Sequence, residues 1–193
     1  LDAPIPMTRL ILAPGERAEI LVDLGNEQGN TLTLKSFGTG LPQGYPGGTM
    51  MMGGMEGPLD NTDFNVLTIN VTAPTADPVT TVPAALTTNE VLSQAGAATR
   101  TLGFTAQPMM SMTNFFINSK KFDMEVVEFT TEQDKVEVWN ITNQTMMAHP
   151  FHIHGNHFYV LQVNGATPPP NLRGRKDVVV VPPMNGSVKL ITK

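Results

Sequence analysis

The chain has 193 residues, 40% of them hydrophobic and 15% charged, and a formal net charge of −5. That is enough apolar material for one large core or two small ones, yet no run nears the roughly 20 residues needed to span a bilayer. The acidic balance and the lack of any basic run argue against nucleic acid as a partner, and the absence of cysteine rules out disulfides.

Glycine (17), proline (16) and short Val/Ile/Thr-rich runs favour strands and turns over helices. "RLILAP" and "AEILVDL" are short apolar runs on either side of Pro14-Gly15, a strong turn signal. "TLTLKSF" from Thr31 and "FNVLTINVT" from Phe64 alternate with period 2, which predicts strands with one buried face. Between them, Gly38 to Asp63 is rich in glycine, proline and methionine without periodicity, the composition of a long surface loop. The Pro/Thr/Ala-rich stretch Ala73 to Arg100 reads as a linker with one helical turn.

A second β-type region follows. "TLGFTAQ" and "NFFINSKKF" predict strands, with a tight turn at Asn118-Ser119. "DKVEVWNITN" alternates Val136, Val138 and Ile141 with polar neighbours, with a slip at Trp139-Asn140. "HFYVLQVNG" predicts a core strand ending in an Asn164-Gly165 turn. "KDVVVVPPMNGSVKLITK" predicts a buried strand, a stop at Pro182-Pro183, a turn at Asn185-Gly186 and a last strand. No amphipathic helix is evident, so the expected class is all-β, with strand spacing that suggests Greek-key sandwiches.

All four histidines, His149, His152, His154 and His157, fall within "HPFHIHGNH". Neutral imidazole is a common ligand for copper and zinc, so clustering of this kind points to metal. On a strand, His152 and His154 share a face about 6.5–7 Å apart, a spacing that suits two neighbouring metals. His149 has the opposite parity and faces away, so one short segment can feed two sites. For His157 a structural role weighs more than a ligand role.

The segment "MMAHPFHIHGNHFYVLQVNG" with "GRKDVVVVPP" resembles the third cupredoxin domain of three-domain multicopper oxidases, the laccase, bilirubin-oxidase and cuprous-oxidase group. "ILAPGERAEILVDL" resembles the late part of their second domain, and "FFINSKKFDM" the opening of the third. The resemblance implies cupredoxin-like Greek-key β-sandwich domains, parts of two. Residues 1–73 would be the end of the second domain, 74–100 an inter-domain linker, and 101–193 the third domain without its His-Cys-His segment. It further implies that His149 binds a type 1 copper, His152 the type 2 copper and His154 one of the type 3 pair. Such an enzyme takes electrons from phenols, other small reductants or Cu(I) at the type 1 site and reduces O2 to water at the trinuclear cluster.

A blue site also needs a cysteine thiolate, and this chain has none. The resemblance therefore implies an incomplete active site, inactive alone and completed by the first domain and a C-terminal segment of the same enzyme. The opening at Leu1, without Met or leader, fits a mature secreted protein or a fragment; a periplasmic or secreted location is expected. Met50, Met51, Met52 and Met55 form a loop whose thioethers would suit Cu(I), or serve as adaptable apolar surface; Met109, Met110 and Met112 form a weaker cluster. Asp177 is a candidate hydrogen-bond acceptor behind a ligand, or a turn-closing residue. The competing readings are a non-catalytic copper-binding cupredoxin module, a zinc hydrolase or hydro-lyase, and a copper-free scaffold that binds partners.

Overall fold

Alternating apolar residues bury one face of a strand only where a second layer covers it, and this chain supplies that layer unevenly. The computed structural model describes residues 1–49, 57–108 and 114–193. Among these, the regular elements are ten strands and two short 3-10 turns, Gly38–Gly40 and Pro170–Leu172. The chain divides into two compact units, one of residues 17–84 and one of residues 1–16 with 85–193.

In the first of these, β1 (Thr31–Phe37) and β2 (Asp63–Asn70) pair antiparallel from Thr31↔Asn70 to Phe37↔Asp63. A bulge between Leu34 and Lys35 shifts the register. Both strands lie where the alternation predicts them, but the expected buried face does not form, because no second layer of this unit covers them among the described residues: Leu34, Phe64, Val66 and Leu67 are exposed. The run "AEILVDL" joins no sheet, and Ile20, Leu21 and Val22 are exposed.

The other unit holds a six-stranded sheet in the order β4-β3-β5-β10-β7-β8 and a two-stranded sheet, β6-β9. The strands are β3 (Ala98–Ala106), β4 (Phe115–Ile117), β5 (Glu137–Asn143), β6 (His149–His152), β7 (Phe158–Val163), β8 (Arg175–Lys176), β9 (Val178–Val181) and β10 (Gly186–Thr192). Strands β3 and β5 run parallel, so a long crossover joins them, whereas β10 is antiparallel to both β5 and β7. Phe151 of β6 and Val179 and Val181 of β9 pack on Leu102, Phe104, Trp139, Ile141, Phe158, Val160, Val188 and Leu190 of the larger sheet. Two sheets thus share one core.

The apparent slip at Trp139-Asn140 is not a bulge. Strand β5 pairs without interruption on both sides, from Ala98↔Glu137 to Phe104↔Asn143 and from Gly186↔Asn143 to Thr192↔Glu137. Alternation fails there because a central strand is covered on both faces, with Val138, Trp139 and Ile141 all buried. Arg100 of β3 closes the end of this strand. Its Nε and Nη2 donate to Glu137 at 3.1 and 2.9 Å, and its guanidinium lies over the Phe129 ring at 4.1 Å. The Arg100 hydrogen bond, ahead of the Trp139 indole N–H, holds the Glu137 carboxyl below the usual carboxylate range.

The expected turns form. Asn118 and Ser119 have φ of 51° and 65°, and Asn164 and Gly165 have 50° and 75°. At Gly186 a Cβ would sit 2.3 Å from the Pro182 carbonyl oxygen, so only glycine lets the chain turn back into β10. The helical turn expected between Ala73 and Arg100 does not form; most of that stretch has no regular structure before β3 begins. "NFFINSKKF" shortens to the three residues of β4 because the Asn118-Ser119 turn follows at once. The loop methionines Met50, Met51, Met52 and Met55, and Met109, Met110 and Met112, lie outside the described residues.

Candidate metal centre

Strand β6 carries His149 and His152; His154, expected on the same strand, lies two residues beyond it in a turn. The strand pairs with β9 alone, from His149↔Val181 to His152↔Val178, and such an edge position tolerates Pro150, which has no N–H to donate. The pleat then sorts the side chains. Phe151 is buried in the core and Ile153 packs against it, while His152 and His154 are exposed.

His149 lies on the Phe151 side. Its ring meets Phe104 edge-on at 5.9 Å and Phe115 at 4.9 Å between centroids, and Phe104 also contacts Phe151 at 6.3 Å. Its Nε2 is 2.8 Å from the Thr145 hydroxyl. Burial holds the imidazole below its ordinary pKa, so it is neutral and a competent ligand at pH 7.

His152 and His154 stand together on the opposite side, ring centroids 4.6 Å apart at 53°. The Nδ1 of His152 is 2.7 Å from the backbone carbonyl oxygen of Asp177, an acceptor only, so Nδ1 carries the proton and Nε2 the lone pair. The same carbonyl accepts the Ile153 N–H at 3.2 Å, which anchors the chain between the two imidazoles. Asp177 therefore does act behind a histidine, but through its main chain; its carboxylate is 3.9 Å from Nδ1.

His157 belongs to neither group. Its ring is engaged by Arg175 Nη2 at 2.7 Å from Nε2 and by the edge of Tyr159. Burial, then the Arg175 charge, lowers its pKa against an opposing pull from Glu90. Thr145 and Asn143, which contact the His149 side, were not singled out from sequence. The only hint was a polar "NQT" where the strand ends, its threonine four residues before a histidine.

The donor set suits copper in part. Three imidazoles, His149 on one side and His152 and His154 on the other, match a borderline-soft ion bound by imidazole. Among the described residues no group of three or more His, Cys, Asp or Glu is arranged to hold a metal by itself.

Comparisons with known proteins bear on which ion that is. A family model described as multicopper oxidase matches residues 94–192. The multicopper oxidase Mco of Staphylococcus haemolyticus is 46% identical over 74 residues, covering 36% of this chain and 17% of the relative. The cell division protein FtsP of Salmonella typhimurium is 30% identical over 191 residues, covering 99% of this chain and 37% of the relative. The crystal structure of the McoA multicopper oxidase from the hyperthermophile Aquifex aeolicus superposes with a TM-score of 0.76 at 26% identity, covering 100% of this chain and 40% of that one. The fold is thus that of cupredoxin-like Greek-key β-sandwich domains, and copper is the metal the family implies. The chain belongs to the multicopper oxidase family. It spans well under half the length of these relatives.

Proposed function

We propose that this chain is part of an enzyme that oxidises one-electron donors (phenols, other small reductants or Cu(I)) and reduces O2 to water. In this reading His149 is a ligand of a type 1 copper, His152 of the type 2 copper and His154 of a type 3 copper. The observation that carries it is the split across β6: one half-buried imidazole on the Phe104 and Phe115 side, two exposed imidazoles with centroids 4.6 Å apart on the other. One ion cannot take ligands from both faces of a strand, but two centres fed by one strand can.

Bound copper would supply one-electron transfer at the first centre and O2 reduction at the second. The protein's part is to hold ligands and exclude water. His152 offers Nε2 because Asp177 occupies Nδ1. His149 sits against aromatic edges that keep solvent from one side of its ring. His149 and His152 are three positions apart on β6, so one strand would hold ligands of both centres.

Residues 1–73 would form the end of a second cupredoxin domain, 74–100 a linker and 101–193 most of a third. A first domain and a C-terminal segment with a Cys thiolate would complete the sites, since the chain has no cysteine. By itself the chain would neither turn blue nor consume O2. We place it in the periplasm or outside the cell, a reading the family supports; no helix among the described residues is long and apolar enough to cross a membrane. The loop of Met50, Met51, Met52 and Met55 would gather Cu(I) if that ion is the reductant.

One observation favours a second reading, a non-catalytic copper-binding cupredoxin module: relatives matching 99% of the chain are named for cell division. Metal analysis and O2 uptake of the complete protein separate the two. An oxidase holds several coppers and consumes O2 with a phenol or Cu(I), and loses uptake in His152→Ala and His154→Ala. A copper-poor protein with no uptake from either donor would overturn the oxidase reading.

A further inference from the structure

The polar residues between β5 and β6 form a closed set. Asn143 is 0% exposed and Thr145 is 2% exposed. The Asn143 amide donates to the carbonyls of Met147 (2.7 Å) and Pro182 (3.0 Å), and its Oδ1 accepts from the Thr145 N–H (2.9 Å). The Thr145 hydroxyl lies 2.8 Å from Asn143 Oδ1, 2.9 Å from the Met147 carbonyl and 2.8 Å from His149 Nε2. It also accepts from the Met147 N–H at 3.3 Å.

A hydroxyl has one proton to donate and two lone pairs. Two of its neighbours, an amide oxygen and a carbonyl, can only accept. Each of these oxygens already accepts one N–H and keeps a second lone pair, so the hydroxyl proton goes to the nearer of them, Asn143 Oδ1 at 2.8 Å. The second lone pair of Oγ1 then accepts a proton from His149 Nε2, and every buried polar atom in the set is satisfied. His149 is therefore the Nε2–H tautomer, and Nδ1 carries the lone pair. The turn is tied down independently, with Met184 donating to the Thr145 carbonyl at 2.8 Å and Asn185 to that of Asn143 at 2.7 Å.

We propose that Thr145 is a positioning residue for the metal at His149: its hydroxyl, held by Asn143, fixes the Nε2–H tautomer and the ring angle so that Nδ1 alone is presented to copper. The two faces of β6 thus use opposite nitrogens, Nδ1 of His149 and Nε2 of His152. This rests on the copper reading above, whereas the tautomer itself does not.

The test uses the complete protein with 15N-labelled histidine, metal-free, read by long-range 1H–15N correlation, and then titrated with Cu(II). Wild type is expected to show His149 as Nε2–H alone. Thr145→Val should lose that single tautomer and weaken Cu(II) at the His149 centre about 10- to 100-fold; Thr145→Ser should restore both. An Nδ1–H signal in wild type overturns the proposal even if Thr145→Val fails to fold, and so does Thr145→Val with tautomer and affinity unchanged. If the tautomer results hold but His149→Ala leaves Cu(II) uptake unaltered, the copper reading falls and the hydrogen-bond assignment stands.

Discussion

The two faces of β6 use the same side chain in different ways. On one, His149 is half-buried between Phe104 and Phe115 beside the core residue Phe151. On the other, His152 and His154 are exposed and touch each other. On the first face the proposed ligand is also a packing residue, so a change there is expected to alter both stability and metal binding. The second separates them, because an exposed ring held by one backbone carbonyl contributes little to the fold.

The comparison breaks most visibly in function. His152→Ala and His154→Ala in the complete protein should abolish O2 uptake and empty part of the copper content. Their effect on unfolding should stay within about 0.5 kcal/mol, as for surface changes away from packed features; calorimetry of the metal-free protein checks this. A large loss of stability would mean that the outer face is structural.

Phe151→Ala probes the inner face and should cost about 3–5 kcal/mol by leaving a cavity against Phe104, Trp139 and Phe158. Denaturant titration measures it, and a cost near that of the outer-face variants would erase the distinction.

His157 is the control, a histidine on neither face. Its folded pKa is depressed, so the folded state binds fewer protons than the unfolded chain. The stability it contributes is complete above the ordinary histidine value of about 6.5 and is lost as pH falls toward the lower folded value. His157→Gln should flatten that acid slope in the metal-free protein without changing copper content; an unchanged slope refutes the assignment.

The smallest effect is expected at Asp177. Because its main-chain carbonyl pairs with His152, Asp177→Asn should weaken copper on the outer face by less than the roughly 10-fold that loss of an outer hydrogen-bond partner costs. A larger loss would transfer the role to the carboxylate.

Much of this was legible beforehand. The period-2 runs at Thr31 and Phe64, the valine run before Pro182-Pro183 and the Asn-Gly turns each gave a correct local element, because alternation and positive φ are properties of short segments. The opposite directions of His149 and His152 followed from the same pleat. What sequence concealed is tertiary. Trp139 and Asn140 read as a slip because coverage on both faces of β5 is set by strands distant in the chain. "AEILVDL" has strand composition but no partner strand. Thr145 looked like an ordinary turn residue; only the fold brings its hydroxyl to His149. Asp177 was identified as a residue, but not for its carbonyl.

Anomalous scattering at the copper edge from crystals of the complete protein tests the division of β6 most directly. The prediction is one copper at His149 and separate coppers at His152 and His154. A single ion bridging His152 and His154, or copper located away from all three histidines, would contradict it.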